Sequence, residues 1–311
     1  MRDIDRLALI LSRILGGRSL FISKVGRMSK FKVKDALKLR IQKPFDFEDD
    51  DPTATPGFDG DKDDLKKQAE RYDDELSDLQ ELLFANGRAL GKDAPSILVI
   101  LQGMDTSGKG GAVRSVFSIF DPQGTTTVGF GKPTEEEMEH DFLWRIRKHD
   151  PLPGQIVAFD RSHYEDVVIQ RVHSWVDEDE IDRRFEAIRE YEKELADRNV
   201  RIIKVFLHIS KDFQVENLLE RVEDPKKFWK YDDGDVTERA HWDEYSKAYA
   251  DAFNRTDEDY APWYILPSDN KKYARMALKF LILSELRDMD LSWPEAKFDP
   301  EVERQRILDS K

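Results

Sequence analysis

The sequence of 311 residues contains no cysteine, and this absence excludes several kinds of site. Disulfide scaffolds, thiolate nucleophiles and cysteine-based zinc sites all need the thiol group. Only six histidines are present, which leaves little for a histidine-rich metal cage. The apolar run at 7–15 is interrupted by charge and is too short to span a bilayer. We therefore expect a cytoplasmic protein that is not embedded in a membrane.

Basic residues are fewer than acidic ones: the chain has 50 Lys and Arg residues and 64 Asp and Glu residues, which gives a formal net charge of −14. A strongly acidic chain argues against nucleic acid as a partner, since phosphate binding normally leaves a basic footprint. The charge is unevenly spread: residues 1–45 are basic, and residues 46–64 are acidic. We predict a basic extension and acidic linker over 1–60, in which Met28 rather than Met1 could be the natural start, and a domain over 61–311.

Short apolar segments alternate with helical patterns along this domain. Residues 97–101 are continuously apolar, as expected for a strand that is covered on both faces. Four further segments predict strands, at 125–130, 156–159, 202–207 and 263–266. Helical patterns occur at 65–86, 109–120, 134–148, 181–198, 211–221, 237–253 and 270–286. The alternation predicts an α/β fold: a doubly wound, mainly parallel five-stranded sheet with helices on both faces.

A glycine-rich segment at 102–111 follows the first predicted strand and leads into a helix. It carries the pattern GxxxxGK in the strand–loop–helix context that binds phosphate. Glycines let successive backbone N–H groups point at an anion, the helix amino terminus adds partial positive charge, and the lysine supplies a cation. The predicted phosphate-binding residues of this loop are Gly103, Thr106, Ser107, Gly108, Lys109 and Gly110.

A magnesium site is predicted beside this loop. Gly110 stands where such loops usually carry a Ser or Thr hydroxyl for the metal, so other ligands are needed. Asp105 lies in a loop that should hold an anion, which makes electrostatic sense if a cation lies between them. Asp160 follows the strand 156–159, where P-loop proteins place a second acidic element, although a helix N-cap is an alternative role. We expect Asp105 and Asp160 to bind Mg²⁺, with Mn²⁺ as a possible substitute.

Additional cations follow the later strands. Arg161 either stabilises charge on a transferring phosphoryl group or forms a salt bridge with Glu165 or Asp166. Arg145 either reaches substrate or pairs with Asp141. Residues 211–245 are expected to form a helical lid that excludes water, with a solvated helix end as the alternative. The candidate phosphate-binding cations of the lid are Arg221, Lys226, Lys227 and Lys230.

Together these segments resemble the polyphosphate kinase 2 family over about 76–286. The matching motifs are Leu-Gln-Gly-Met-Asp-Thr-Ser-Gly-Lys at 101–109, His-Asp-Phe-Leu-Trp-Arg at 140–145, Phe-Asp-Arg-Ser-His-Tyr-Glu-Asp-Val at 159–167 and Asp-Pro-Lys-Lys-Phe-Trp-Lys at 224–230. The resemblance implies a P-loop kinase core with a helical lid, dependence on Mg²⁺ and a basic channel for the polymer. It also implies catalytic roles for Lys109, Asp105, Asp160 and Arg161. Neutralisation of the polymer would fall to Arg161, Arg171, Arg221 and the lysines of the lid.

The expected activity is Mg²⁺-dependent transfer of a phosphoryl group between inorganic polyphosphate and a nucleoside mono- or diphosphate of the ADP, GDP or AMP class. An ATP-dependent nucleotide or small-metabolite kinase of the same fold is the closest alternative, and a non-catalytic polyphosphate-binding protein is another. The resemblance is consistent with a homodimer or homotetramer. A polyanionic substrate agrees with the net charge of −14 if the dispersed cations converge on one groove.

Overall fold

The five predicted strands form one parallel sheet in the computed structural model, which describes residues 31–311. The strand order is β2-β3-β1-β4-β5, and every neighbouring pair is parallel. The strands are β1 (Ser96–Gln102), β2 (Thr125–Gly129), β3 (Ile156–Asp160), β4 (Val200–His208) and β5 (Trp263–Pro267). The predicted α/β class with a doubly wound sheet is therefore confirmed.

The central strand β1 is buried along its whole length. Side chains of a strand point alternately to opposite faces, so its apolar run supplies two cores. Ile97, Val99 and Leu101 pack in one core, and Leu98 and Ile100 pack in the other. Helices cover both faces, which explains why the strand needs no polar side.

Twelve α-helices are present among the described residues, and most lie where the sequence predicts them. They are α1 (Lys62–Glu70), α2 (Asp73–Leu90), α3 (Lys109–Phe117), α4 (Glu135–Met138), α5 (Trp144–Arg147), α6 (Glu165–Val172), α7 (Glu178–Asp197), α8 (Lys211–Glu223), α9 (Asp233–Glu238), α10 (Trp242–Thr256), α11 (Lys271–Asp288) and α12 (Pro300–Asp309). Short 3-10 helices occupy Val33–Leu39, Phe47–Asp49, Gly91–Asp93, Pro122–Gly124, Phe228–Lys230 and Arg239–His241. No helix of residues 31–311 is long and apolar enough to cross a membrane.

The predicted helix 134–148 is wrong as a continuous element. Helix α4 ends at Met138, and a turn separates it from α5. The Asp141 carboxylate accepts a hydrogen bond from the backbone N–H of Leu143 (3.0 Å), a local bond that competes with helical pairing. Phe142 and Arg145 therefore do not share one helix face, contrary to the prediction.

Residues 44–60, which the sequence predicts as a linker, pack against the sheet domain. Phe47 contacts Phe206 and Phe253 through its ring, and Phe58 is buried. The Asp50 carboxylate lies 2.5 Å from Nδ1 of His208 on β4. Apolar side chains within this acidic segment thus anchor it to the body. The part of the predicted basic extension before residue 31, including the alternative start at Met28, lies outside the described residues.

Candidate active site

The loop between β1 and α3 has a backbone shape that depends on glycine at its first position. Gly103 adopts a φ of 152°, and a Cβ there would lie 2.6 Å from Oγ of Ser107 and 2.9 Å from the carbonyl oxygen of Leu207. Thr106 also adopts a left-handed backbone, with φ at 65°. Such strain in a non-glycine residue is typical of functional loops. The loop thus folds back tightly before α3 begins at Lys109.

The amine of Lys109 lies over this loop and is held by backbone oxygens. It donates to the carbonyl of Gly103 (2.7 Å) and to that of Met104 (3.3 Å). Burial lowers the pKa of Lys109, against the opposing charges of Asp105, Asp160 and Glu165. No carboxylate forms a salt bridge with this amine within residues 31–311. Its charge therefore remains available to an anion at the loop.

Two hydroxyl groups of the loop are buried without a hydrogen-bond partner among the described residues: Oγ1 of Thr106 and Oγ of Ser107. A buried hydroxyl without a partner costs about 1–3 kcal/mol. A phosphate bound in the loop would provide the missing acceptors. This observation independently supports the predicted function of the loop.

Arg161 directly follows β3 and pairs with Asp105 of the loop, with 2.9 Å between Nη2 and Oδ1. Its backbone is also left-handed, with φ at 68°. Burial works to lower the pKa of Arg161, but Glu165 and Asp105 outweigh it and raise that pKa. The ion pair is thus formed with Asp105, not with Glu165 or Asp166.

The proposed metal ligands have oxygen chemistry that suits a hard divalent cation. Oδ2 of Asp160 lies 3.4 Å from the point where a Cβ at Gly110 would be, so this carboxylate faces the loop. It is not the N-cap of α6, because that position belongs to Tyr164. Residues 31–311 contain no group of three or more His, Asp or Glu side chains that could hold a metal. Two carboxylates are sufficient for Mg²⁺, which usually keeps several waters and binds substrate phosphates.

A pocket of about 390 Å³ opens next to the loop. Its wall carries three guanidinium groups, those of Arg145, Arg161 and Arg239. Arg145 donates to the carbonyl of Gly131 (2.9 Å) and pairs with Asp166 (3.5 Å), whereas the alternative partner Asp141 is not used. Aromatic side chains complete the wall: Phe130, Trp175, Trp242, Tyr245 and Tyr249. The pocket therefore combines cations with flat apolar surfaces and also carries six carboxylates, those of Asp105, Glu165, Asp166, Asp232, Asp235 and Glu238.

Arg239 and the side-chain amides of Gln214 and Asn217 on α8 were not identified from the sequence. The guanidinium of Arg239 donates to Oε1 of Gln214 (2.7 Å), and Nε2 of Gln214 donates to the carbonyl of Asp105 (3.0 Å). Asn217 likewise donates from Nδ2 to the carbonyl of Thr106 (3.3 Å). Helix α8 thus supports the loop through two side-chain amides. No local pattern marks the two contacts between α8 and the loop, since their partners are more than a hundred residues apart.

The structure does not bring the remaining predicted cations to this pocket. Arg171 pairs instead with Asp251 (2.6 Å) and Glu178 (3.0 Å). Arg221 pairs with Asp235, and Lys227 pairs with Glu220. Lys226 and Lys230 are exposed and form no salt bridge with any residue of 31–311. Of these cations, only Arg161 lies in the pocket wall, so the predicted convergence on one groove is not met there; Arg145, a separate candidate for reaching substrate, also lines the pocket.

A GxxxxGK loop at the carboxyl edge of a parallel sheet, beside an arginine-lined pocket, defines a phosphotransferase of the P-loop kinase class. The family model described as Polyphosphate kinase 2 (PPK2) matches residues 63–294. The chain belongs to the polyphosphate kinase 2 family.

Similar proteins extend over most of the chain. An AMP/ADP-polyphosphate phosphotransferase of Meiothermus ruber is 38% identical over 273 residues, which cover 87% of this chain and 98% of that protein. An ADP-polyphosphate phosphotransferase of Rhodopseudomonas palustris is 38% identical and covers 74% of this chain and 81% of its own length. The crystal structure of polyphosphate kinase 2 from Arthrobacter aurescens superposes with a TM-score of 0.85 at 46% identity, covering 88% of this chain and 96% of that chain.

Membership confirms the predicted family and the predicted enzyme class, a polyphosphate-dependent nucleotide phosphotransferase. Phosphotransferases of this family generally need a divalent metal ion.

Proposed function

We propose that this chain catalyses Mg²⁺-dependent transfer of a phosphoryl group between inorganic polyphosphate and a nucleoside mono- or diphosphate. The observation that carries the proposal is the loop, with Lys109 and two hydroxyls that lack partners among residues 31–311, beside a pocket with three guanidinium groups. The loop is suited to a donor phosphate, and the pocket is suited to a charged acceptor. The similar proteins named for AMP, ADP and polyphosphate support the same pair of substrates.

In this proposal the polyphosphate lies on the loop, where Lys109 and the backbone N–H groups bind its terminal phosphates. The nucleotide occupies the adjoining pocket, so that Arg161 lies between the two anions. The acceptor is already a phosphate oxyanion and needs no strong general base. Catalysis then consists of alignment and neutralisation of charge in a loose, in-line transition state.

Asp105 and Asp160 would hold the metal ion at the loop. When bound, the ion neutralises negative charge on the substrate phosphates. Asp105 pairs with Arg161, so the same carboxylate would connect the metal site to the guanidinium that faces the acceptor. Mn²⁺ has the same preference for oxygen ligands and is expected to substitute.

Trp175 offers a surface for the nucleoside part of the acceptor. The indole lines the pocket, is 64% exposed, and stacks on His173 with ring centroids 4.8 Å apart. An aromatic face binds any base by stacking, with little preference for its edges. This arrangement suits an enzyme that accepts more than one nucleotide.

The test is formation of nucleoside di- or triphosphate with polyphosphate as the only phosphate donor, in the presence of Mg²⁺. We expect transfer to ADP or AMP, abolished by EDTA and restored by excess Mg²⁺. Absence of transfer from polyphosphate together with transfer from ATP would contradict the proposal and favour an ATP-dependent kinase. Reaction mixtures freed of ATP with hexokinase and glucose, with the hexokinase then removed, exclude a contaminating donor and leave the ADP intact.

A further inference from the structure

Arg239 differs from the other two arginines of the pocket wall in the charge of its partners. Its guanidinium donates to the backbone carbonyl of Lys211 (2.9 Å) and to Oε1 of Gln214 (2.7 Å), and both acceptors are neutral. The other two, Arg145 and Arg161, each pair with an aspartate. Arg239 forms no salt bridge with a carboxylate of residues 31–311. Its positive charge is therefore the least neutralised of the three, which suits it to contact a phosphate group.

The same guanidinium is linked to the phosphate-binding loop. Gln214, which accepts a hydrogen bond from Arg239, donates from Nε2 to the backbone carbonyl of Asp105 (3.0 Å). Gln214 is only 2% exposed, so displacement of Arg239 would leave a buried amide oxygen without its donor. The position of this arginine is thus connected to the loop through one buried side chain.

Glu238, the residue before Arg239, binds to two other helices. Its carboxylate accepts a hydrogen bond from the hydroxyl of Tyr245 on α10 (2.6 Å) and lies 3.0 Å from Nε2 of His173 at the end of α6. Burial works to raise the pKa of Glu238, but the contacts with Tyr245 and His173 outweigh it and lower that pKa. These contacts therefore stabilise the charged carboxylate.

Glu238 and Arg239 are consecutive residues whose side chains reach different elements. Both have a right-handed helical backbone, with φ −61° and ψ −30° at Glu238 and φ −57° and ψ −28° at Arg239. Neighbouring side chains on a helix diverge by about 100°, so Glu238 binds α6 and α10 while Arg239 binds α8. This turn connects three helices around the pocket, and both residues line it. Loss of the contacts of Glu238 would let the turn move, and Arg239 with it.

The carboxylates nearest in the chain to Arg239 have partners of their own. Asp235 pairs with Arg221, and Asp232 accepts a hydrogen bond from a backbone N–H at the start of α9 (2.9 Å). Glu238 is engaged by its tyrosine and its histidine. An anion that enters the pocket can therefore approach Arg239 without breaking an ion pair of this guanidinium.

We propose that Arg239 binds the phosphate of the acceptor nucleotide and that Glu238 is a positioning residue, which holds Arg239 in the pocket through its contacts with Tyr245 and His173. The inference rests on the proposed function and adds to it the cation that recognises the acceptor. Polyphosphate on the loop is bound by Lys109 and does not contact Arg239. Changes at positions 238 and 239 should therefore affect the acceptor and not the donor.

A double-mutant cycle in the full-length enzyme tests whether Glu238 acts through Arg239. We expect the KM for ADP to rise roughly tenfold in Arg239→Gln and roughly fivefold in Glu238→Ala, while the KM for polyphosphate stays within about twofold. The double variant should show a rise of about tenfold, as in Arg239→Gln alone, because no arginine remains to be positioned. Glu244→Ala, which removes an exposed carboxylate from α10, is the matched control and should leave both KM values unchanged.

A rise of roughly fiftyfold in the double variant, the product of the single effects, would overturn the inference, because the two residues would then act independently. An unchanged KM for ADP in either single variant, or an equal rise in the KM for polyphosphate, would also overturn it. Glu238→Gln keeps an oxygen that can accept from Tyr245 and should recover much of the affinity. A merely structural role would lower the melting temperature of Glu238→Ala and leave its KM for ADP unchanged.

Two further measurements keep the test interpretable. If Glu238→Ala fails to fold, Tyr245→Phe takes its place in the cycle, because it removes one of the two contacts of Glu238 and retains the ring. Calorimetric binding of ADP without polyphosphate should follow the same cycle. If the unaltered enzyme transfers nothing from polyphosphate, the proposed function fails; if it does and the two effects multiply, only this inference fails.

Discussion

Two groups of polar and charged side chains lie near the end of β3. They differ in how many of their polar atoms have a hydrogen-bond partner within the protein. The first, the buried network, consists of Glu192, Lys204, Tyr164, Thr256 and His163, and within it only Nδ1 of His163 lacks a hydrogen-bond partner among the described residues. The amine of Lys204 donates to Glu192 (2.6 Å), to the hydroxyl of Tyr164 (3.0 Å) and to the carbonyl of Thr256 (2.7 Å). All three of its donors are used. Burial works to raise the pKa of Glu192, but Lys204 and His163 outweigh it and lower that pKa.

The second group, the loop cluster, consists of Lys109, Asp105, Arg161, Thr106 and Ser107. Its lysine is held by backbone oxygens alone, and its two hydroxyls lack partners among the described residues. A buried polar network in which nearly every group has a partner favours rigidity, whereas the two unpartnered hydroxyls of the loop cluster leave capacity for a ligand. We propose that the buried network stabilises the fold and that the loop cluster carries out phosphoryl transfer.

Replacement of the loop lysine should give the largest effect. Lys109→Ala is expected to lower kcat about a thousandfold, which corresponds to about 4 kcal/mol of lost transition-state stabilisation. The melting temperature should stay within a few degrees, because the lost group is a desolvated cation that has no carboxylate partner among residues 31–311. Initial rates with polyphosphate and ADP, together with thermal unfolding, measure both quantities. A rate near that of the unaltered enzyme would show that the loop is not the site of transfer.

Replacement of Lys204 in the buried network should lower the stability of the protein and leave the rate of transfer nearly unchanged. Lys204→Met leaves Glu192 buried without its cation and should lower the free energy of unfolding by about 3 kcal/mol. The rate per folded molecule should remain close to that of the unaltered enzyme at low temperature. Adding Glu192→Leu should recover part of the lost stability, because no unpaired charge remains. A stability unchanged by Lys204→Met would contradict the structural role.

The smallest effect is expected from Glu165, which directly follows Tyr164 of the buried network in the chain and interacts with the charges of Arg161 and Lys109 in the loop cluster. Burial raises the pKa of Glu165 from its usual 4.5, against the charges of Arg161 and Lys109. A raised pKa means that the protonated form stabilises the fold below about pH 4.5 and that this contribution is lost as pH rises through the folded-state pKa. Glu165→Gln should therefore raise the melting temperature at neutral pH, and the difference should vanish at low pH. Glu186→Gln, an exposed substitution on α7, is the control; a lower melting temperature at pH 7.5 for Glu165→Gln alone would refute this assignment.

The fold and the loop are predictable from sequence because their signals are local. The apolar run 97–101 and the spacing of Gly103, Gly108 and Lys109 need no knowledge of distant residues. The break at Asp141 and the packing of Phe47 and Phe58 were missed, since a local bond from backbone to side chain and a few aromatic contacts override the wider pattern.

Ion-pair partners are harder to predict, since they depend on contacts across long stretches of chain. Arg171 follows the aspartate of β3 by eleven residues, yet its guanidinium lies against Asp251 of α10. Arg275 meets Gly111 only after the sheet has brought α11 beside α3. Composition and motif spacing identify the cations, but the fold decides which of them are left unpaired.

The most direct test of the comparison measures Lys109→Ala and Lys204→Met side by side at saturating polyphosphate and ADP. The rate per folded molecule and the free energy of unfolding are determined for each variant. We predict a rate reduced about a thousandfold at nearly unchanged stability for Lys109→Ala, and a nearly unchanged rate at clearly reduced stability for Lys204→Met. Similar losses of rate in both variants, or the reverse assignment, would contradict the division of roles.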